Sequence, residues 1–182
     1  MTARSAAPGA PSPTDLASIY ESNLDYVWRL LRRLGVYERD LEDTTHDVFL
    51  VVHRRLSSFD GTRAVRPWLA GIAVRVASDY RKSARVRRMK VGGTIDDEAA
   101  ANRGPLSELE VSRKRQLVAR ALDRLSYDGR VVFVMYELEG HSVPEISDAL
   151  GVSVNTLYTR LRAARRKFAD AVRTLQGGSH GK

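Results

Sequence analysis

The stretch Ser142–Phe168, SVPEISDALGVSVNTLYTRLRAARRKF, constrains this chain most, because it spells two helices joined by a glycine turn. Val143, Ile146, Ala149 and Leu150 recur at helical spacing, and Pro144 suits a first turn, where its missing N–H is not needed. Gly151 supplies the left-handed residue that ends this helix and turns the chain. Ser153 is a natural N-cap for the second helix. There Leu157, Leu161, Ala164 and Phe168 form one apolar stripe that must face a core. Asn155, Thr159, Arg162 and Arg166 lie opposite, and amides, hydroxyls and guanidiniums on one helix face suit the edges of bases in a DNA major groove. The plainer alternative is an amphipathic surface helix with solvated arginines; turn, cap and basic face together favour DNA.

A chain of 182 residues is long enough for one large or two small domains. Its formal net charge of +8 favours a polyanionic partner, and with no membrane-length apolar run that partner is nucleic acid before membrane. The charge falls in two places. Arg81, Lys82, Arg85, Arg87, Arg88 and Lys90 crowd one segment, and Arg160, Arg162, Arg165, Arg166 and Lys167 crowd the other. The absence of cysteine excludes a disulfide frame, a thiolate metal site and a cysteine nucleophile, and fits a cytoplasmic location. Residues 1–14 lack the apolar core of a signal peptide and read as a disordered leader.

Periodicity predicts helices throughout. Thr14 can cap a first helix carrying Leu16, Ile19, Tyr20, Tyr26, Val27, Leu30, Leu31 and Leu34, stopped by Gly35, with a possible break near Asn23. A second helix runs from about Glu38 to Leu56, and a third opens at Pro67 and drifts into the basic segment near Arg88. Residues 91–106 change to an unpatterned, acid-containing composition and read as a flexible linker. A second helical module begins near Ser107. In it VVFVMY, Val131–Tyr136, has strand propensity but sits among short helices with no partner strand, so helix is the assignment. The expected layout is an all-α chain of two small domains, 15–90 and 107–175, with a tail over 176–182 and the helix-turn-helix at 142–168.

Three segments in order, DLEDTTHDVFLVVHRRL (Asp40–Leu56), FDGTRAVRPWLAGIAVRVASDYRK (Phe59–Lys82) and the helix-turn-helix, resemble the extracytoplasmic-function (ECF) sigma factors of bacterial RNA polymerase. The resemblance spans roughly Asp15 to Leu175. It implies sigma region 2, a linker and sigma region 4, an alternative sigma factor that directs core polymerase to −35 and −10 elements and helps melt the promoter. The partners it implies are core RNA polymerase (the β′ clamp helices and the β flap), promoter DNA and an anti-sigma factor. The free protein is expected to be a monomer without membrane insertion or cofactor, cytoplasmic unless an anti-sigma factor holds it at a membrane.

The second helix agrees. Leu41, Thr45, Val48 and Val52 share one face, while Asp43, Asp47, Leu50, Val51 and Arg54 lie opposite. An exposed apolar pair among carboxylates fits a protein partner better than water. The resemblance assigns Asp43, Asp47, Leu50 and Arg54 to the polymerase; the alternative places Leu50 in the core. In the third helix Leu69, Ile72, Ala73, Val76 and Tyr80 make the core stripe, and Gly71, Val74, Arg75, Ser78 and Lys82 are expected to face outward. By resemblance the preceding loop, Ser57–Arg66, holds a flipped −10 base, with Phe59 as a stacking ring or a hydrophobic plug, and Arg63 and Arg66 on phosphates. Trp68 is read as packing. The −10 set is therefore Phe59, Arg63, Arg66, Arg75, Ser78 and Lys82. The −35 set is Ser153, Asn155, Thr156, Tyr158, Thr159, Arg160, Arg162 and Arg166. Two departures stand out: Arg75 replaces the family's usual asparagine, and Tyr158 a frequent lysine.

Two other classes compete with this reading. An enzyme would draw on Asp43-x-x-His46, which faintly resembles a di-iron ligand pair, but no second such motif exists, and His46 and His53 lie too far apart to share one ion easily. No catalytic or metal residue is therefore expected. A free-standing helix-turn-helix repressor or activator would need a ligand cavity or a dimer stripe in the N-terminal half, where a basic helix and a partner face stand instead.

Overall fold

The computed structural model describes residues 15–59, 64–91 and 106–177, with side chains described over 15–59, 64–86 and 112–177. Thr14, Arg63 and the expected linker from 92 to 105 lie outside the described residues. Among the described residues the chain is helical throughout. Its α-helices are α1 (Leu16–Leu34), α2 (Leu41–Arg55), α3 (Val65–Val91), α4 (Leu106–Asp123), α5 (Tyr127–Phe133), α6 (Val143–Leu150) and α7 (Val154–Gly177).

In α1, Ile19, Tyr26, Val27, Leu30, Leu31 and Leu34 are buried along one side. No break occurs at Asn23. Its side-chain amide, itself buried, donates to the Ile19 carbonyl at 2.9 Å, so the polar group is satisfied within the helix instead of interrupting it. Gly35 ends the helix at φ +93°, and the N–H groups of Gly35 and Val36 turn back onto the Arg32 and Leu31 carbonyls. Short 3-10 turns flank α2, at Glu38–Asp40 and Leu56–Ser58. The first is pinned by Tyr80 of α3, whose hydroxyl donates to Asp40 at 2.6 Å. Burial and that bond push the Tyr80 phenol up to about 12.

The VVFVMY segment is helical, running from α5 into a wider π turn over Val134–Leu138. Val131, Val132, Phe133, Val134 and Met135 are all buried, so the segment shows no polar side from which a period could be read. After the π turn the His141 N–H donates to the Met135 carbonyl at 3.0 Å, and Ser142 then starts α6 with a reciprocal capping box to Glu145.

Helices α1, α2 and α3 pack on one another, as do α5 and α7, yet one continuous apolar core runs through both groups. The junction is α6 against α3, helped by α1 against α5 and the π turn. This corrects the outward reading of α3. Gly71 and Val74 are buried, not presented to solvent: a β-carbon on Gly71 would lie 2.6 Å from the Ala149 carbonyl oxygen, and Tyr127 donates to the Val74 carbonyl at 2.8 Å. The surfaces that meet are apolar side chains and helix ends.

Tyr26 and His141 are joined across this junction by a hydrogen bond of 2.8 Å, and Arg33 pairs with Glu139. Burial lowers the His141 pKa, partly opposed by Glu145 and Glu139 and reinforced by Arg66. Between that lowered value and the ordinary 6.5 the unfolded chain binds the extra proton, so stability rises with pH and is lost as pH falls below about 6.5. The expected slope approaches 1.4 kcal/mol per pH unit at most. Urea unfolding of the wild type and of His141→Gln between pH 7.5 and 5.5 checks this. The wild type should lose stability on acidification more steeply than the variant, so its advantage shrinks as pH falls, and parallel curves would place the sensitivity elsewhere.

Candidate nucleic-acid and polymerase surfaces

The candidate recognition surface lies on α7. Ser153 precedes it and accepts a hydrogen bond from the Thr156 N–H at 3.3 Å, so the helix N-terminus is defined by a local side chain. Leu157, Leu161 and Ala164 are buried, and Phe168 stacks on Phe133 with ring centroids 4.5 Å apart. With that side anchored, Asn155, Thr156, Tyr158, Thr159, Arg162 and Arg166 are exposed on the rest of the helix. Tyr158 is 56 % exposed, a large ring in water with no core duty.

Two arginines of the basic run are engaged within the chain. Arg160 pairs with Asp128 at 2.8 Å. Arg165 donates to Glu137 at 2.6 Å and lies 5.3 Å over the Tyr136 ring, and the Glu137 bond raises its pKa. The carboxylates thus hold part of the charge that composition alone assigns to nucleic acid.

The α2 stripe is separate from this surface. Asp43, Asp47, Leu50 and Arg54 are all exposed, at i, i+4, i+7 and i+11 along one face. Leu41, Val48 and Val52 fill the core opposite, so Leu50 at 40 % exposed is not a core residue. Sequence reasoning missed Tyr20 of α1, which is 42 % exposed and meets Phe49 edge-on at 4.6 Å. Its place on the periodic face of α1 gave no sign of that exposure.

Around the start of α3, Phe59 packs on Trp68 with centroids 4.6 Å apart. Arg66 is exposed, its guanidinium 5.3 Å over the Tyr26 ring. Arg75 is exposed but donates to the Ala149 carbonyl at 3.1 Å. Ser78 and Lys82 line a cleft of about 760 Å³ with Tyr37, Arg81, Arg85 and Tyr127, and Lys82 pairs with Asp79 at 3.1 Å. Cations therefore line α3 from Arg75 to Arg85, while its first turns are roofed by α6. His46 and His53 are exposed, and no group of acidic or histidine side chains that could hold a metal ion occurs among the described residues. Nor is any helix among them long and apolar enough to cross a membrane.

Residues 19–87 match the family described as Sigma-70 region 2, and residues 115–168 match Sigma-70, region 4. Over 148 residues the chain is 31% identical to the RNA polymerase sigma factor NccH of Alcaligenes xylosoxydans xylosoxydans, covering 80% of each chain. This chain belongs to the ECF sigma factors. It is also 30% identical to the sigma factor CnrH of Cupriavidus metallidurans, over 76% of each chain. The fold is similar to that of the sigma factor RpoE of Bartonella quintana, solved with the anti-sigma factor NepR, at a TM-score of 0.66, 21% identity and coverage of 85% of this chain and 94% of that one. CnrH solved with the cytosolic domain of CnrY gives 0.63 at 25% identity, covering 87% and 88%. The chain is therefore an alternative sigma factor directing transcription initiation, a regulatory subunit with helices α1–α3 in its region 2 and α5–α7 in its region 4.

Proposed function

We propose that this sigma factor binds core RNA polymerase through Asp43, Asp47, Leu50 and Arg54, set against the β′ clamp helices, while its C-terminal half engages the β flap and places α7 on the −35 element. Ser153, Asn155, Thr156, Tyr158, Thr159, Arg162 and Arg166 read and hold that element, with Arg160 joining when it leaves Asp128. Phe59, Arg63, Arg66, Arg75, Ser78 and Lys82 serve the −10 element. The chain catalyses no reaction itself and needs no cofactor. An anti-sigma factor holds it inactive, as NepR accompanies the Bartonella protein, and it works in the cytoplasm, tethered at the membrane only through such a partner. Free of that partner it is a monomer.

The observation that carries this reading is the coexistence of two separately exposed faces, one acidic and apolar on α2 and one polar and cationic on α7. A free-standing repressor needs only the second. The test is capture of core RNA polymerase by the purified chain, followed by transcript synthesis from a defined promoter. Promoter-dependent initiation is expected. Tight binding to a palindromic duplex without any capture of polymerase would favour the repressor.

A further inference from the structure

Where the end of α1 meets α3, α4 and α5, two guanidiniums gather around one carboxylate. A β-carbon on Gly35 would lie 2.7 Å from Nη1 of Arg81 and 3.2 Å from Nη1 of Arg130, so both arginines close on that glycine. Arg130 is the satisfied one: it donates to Oδ1 of Asp123 at 2.6 Å and to the Arg33 carbonyl. Burial lowers its pKa against the pull of Asp123, and the charge of Arg81 lowers it further. Arg81 is half-buried, lies 5.0 Å over the Tyr127 ring, and has no carboxylate partner among the described residues. A guanidinium partly withdrawn from water beside a second one is stabilised by any anion that reaches it.

The space beside it has room for one. Ser78, Arg81, Lys82 and Arg85 follow at i, i+3, i+4 and i+7 on α3 and line the cleft of about 760 Å³. Sites for small molecules span roughly 300–1,000 Å³. Lys82 is drawn off by Asp79, but Arg85, exposed one turn beyond Arg81, has no such partner among the described residues. Two guanidinium forks a turn apart suit a chain of phosphates, each fork taking two oxygens. The other elements lining the cleft differ in kind. They offer the exposed ring of Tyr37 and Asp123, whose Oδ1 is held by Arg130 while Oδ2 makes no hydrogen bond among the described residues. A free carboxylate oxygen repels phosphate and accepts from the hydroxyls of a sugar or the amino group of a base. A phenol ring gives a base a face to stack on.

We infer that this cleft is a binding site for a nucleoside polyphosphate, its phosphates on Arg81 and Arg85 and its nucleoside toward Tyr37 and Asp123. The site stands on its own residues and does not rest on the sigma reading, though Ser78 and Lys82 are shared with the proposed −10 set.

The test is calorimetric titration of the full chain, at moderate salt without divalent ions, with ATP, GTP, inorganic triphosphate and adenosine. Both nucleotides should bind one to one, triphosphate several-fold more weakly and adenosine not measurably. Arg85→Gln, at an exposed position, and Arg81→Gln should each weaken ATP about tenfold, as loss of a charge-assisted bond implies. Tyr37→Ala should weaken ATP and leave triphosphate unchanged, with helical content kept in every variant. Arg162→Gln removes an exposed cation from α7 and should change nothing, which separates the cleft from the attraction of net charge. No binding of either nucleotide, triphosphate as tight as ATP, no loss from Arg85→Gln, or an equal loss from Arg162→Gln would each overturn the inference. So would a chain that takes a single-stranded −10 oligonucleotide through Arg81 and Arg85 but no free nucleotide, since that assigns the cleft to the promoter strand.

Discussion

Asp47→Arg combined with Leu50→Asp is expected to abolish capture of core RNA polymerase while helical content and melting temperature stay near wild type. Both side chains are exposed on α2, so the folded chain alone loses no core contact. Against a partner the cost is large. Full burial of a leucine is worth roughly 1.5–3 kcal/mol, and replacing it with a carboxylate forfeits that and adds the cost of desolvating a charge. Reversing Asp47 adds repulsion wherever the partner offers cations. At 1.4 kcal/mol for each factor of ten, the leucine alone accounts for about ten- to hundredfold. Loss of folding together with binding would show these residues to be structural. Thr45 shows the contrast within the same helix: it is buried, its hydroxyl finds no partner, and substitution there acts on the fold.

Alanine at Arg162 and Arg166 is expected to weaken binding to a −35 duplex by ten- to a thousandfold in the double variant. A guanidinium paired to a guanine edge is worth about 1–3 kcal/mol, and its removal relaxes the choice of base at one position. One that holds a phosphate weakens all sequences alike and lowers the salt slope by about one. Titrations at two salt concentrations on matched and mismatched duplexes separate these outcomes. Arg165→Ala is the internal comparison. That side chain is already held by Glu137 and stacked on Tyr136, and its loss should cost far less affinity. Equal effects at Arg165 and Arg162, or none at Arg162 and Arg166, would put the recognition face elsewhere on α7.

The helix-turn-helix was legible because its determinants are local. Pro144, Gly151 and Ser153 act within a residue or two of where they stand, and the Leu157, Leu161 and Ala164 stripe needs only helical geometry to be read. The α2 stripe was legible for the same reason. The junction of the halves was not. Gly71 and Val74 read as a solvent face because what covers them arrives from α5 and α6, far along the chain, and no period in α3 encodes that. His141 offered no pattern at all, and its meaning lies in Tyr26, 115 positions earlier. At Asn23 a polar residue in an apolar stripe reads as a weakness, yet its side chain is satisfied within its own helix. The family resemblance suggested where surfaces should lie; the contacts at the seam, Arg75 to Ala149 among them, are read from the structure.

That seam also sets an order of events during synthesis. Helices α1 to α3 leave the ribosome first, carrying Tyr26, Gly71 and Val74 without their cover, and residues beyond Ala149 must be made before α6 can close over them. Between those moments the nascent chain shows water an apolar strip that the finished protein hides. A fragment ending after α3 would keep that strip bare for good, and truncations made to study the N-terminal half alone should be more prone to aggregate than the intact protein.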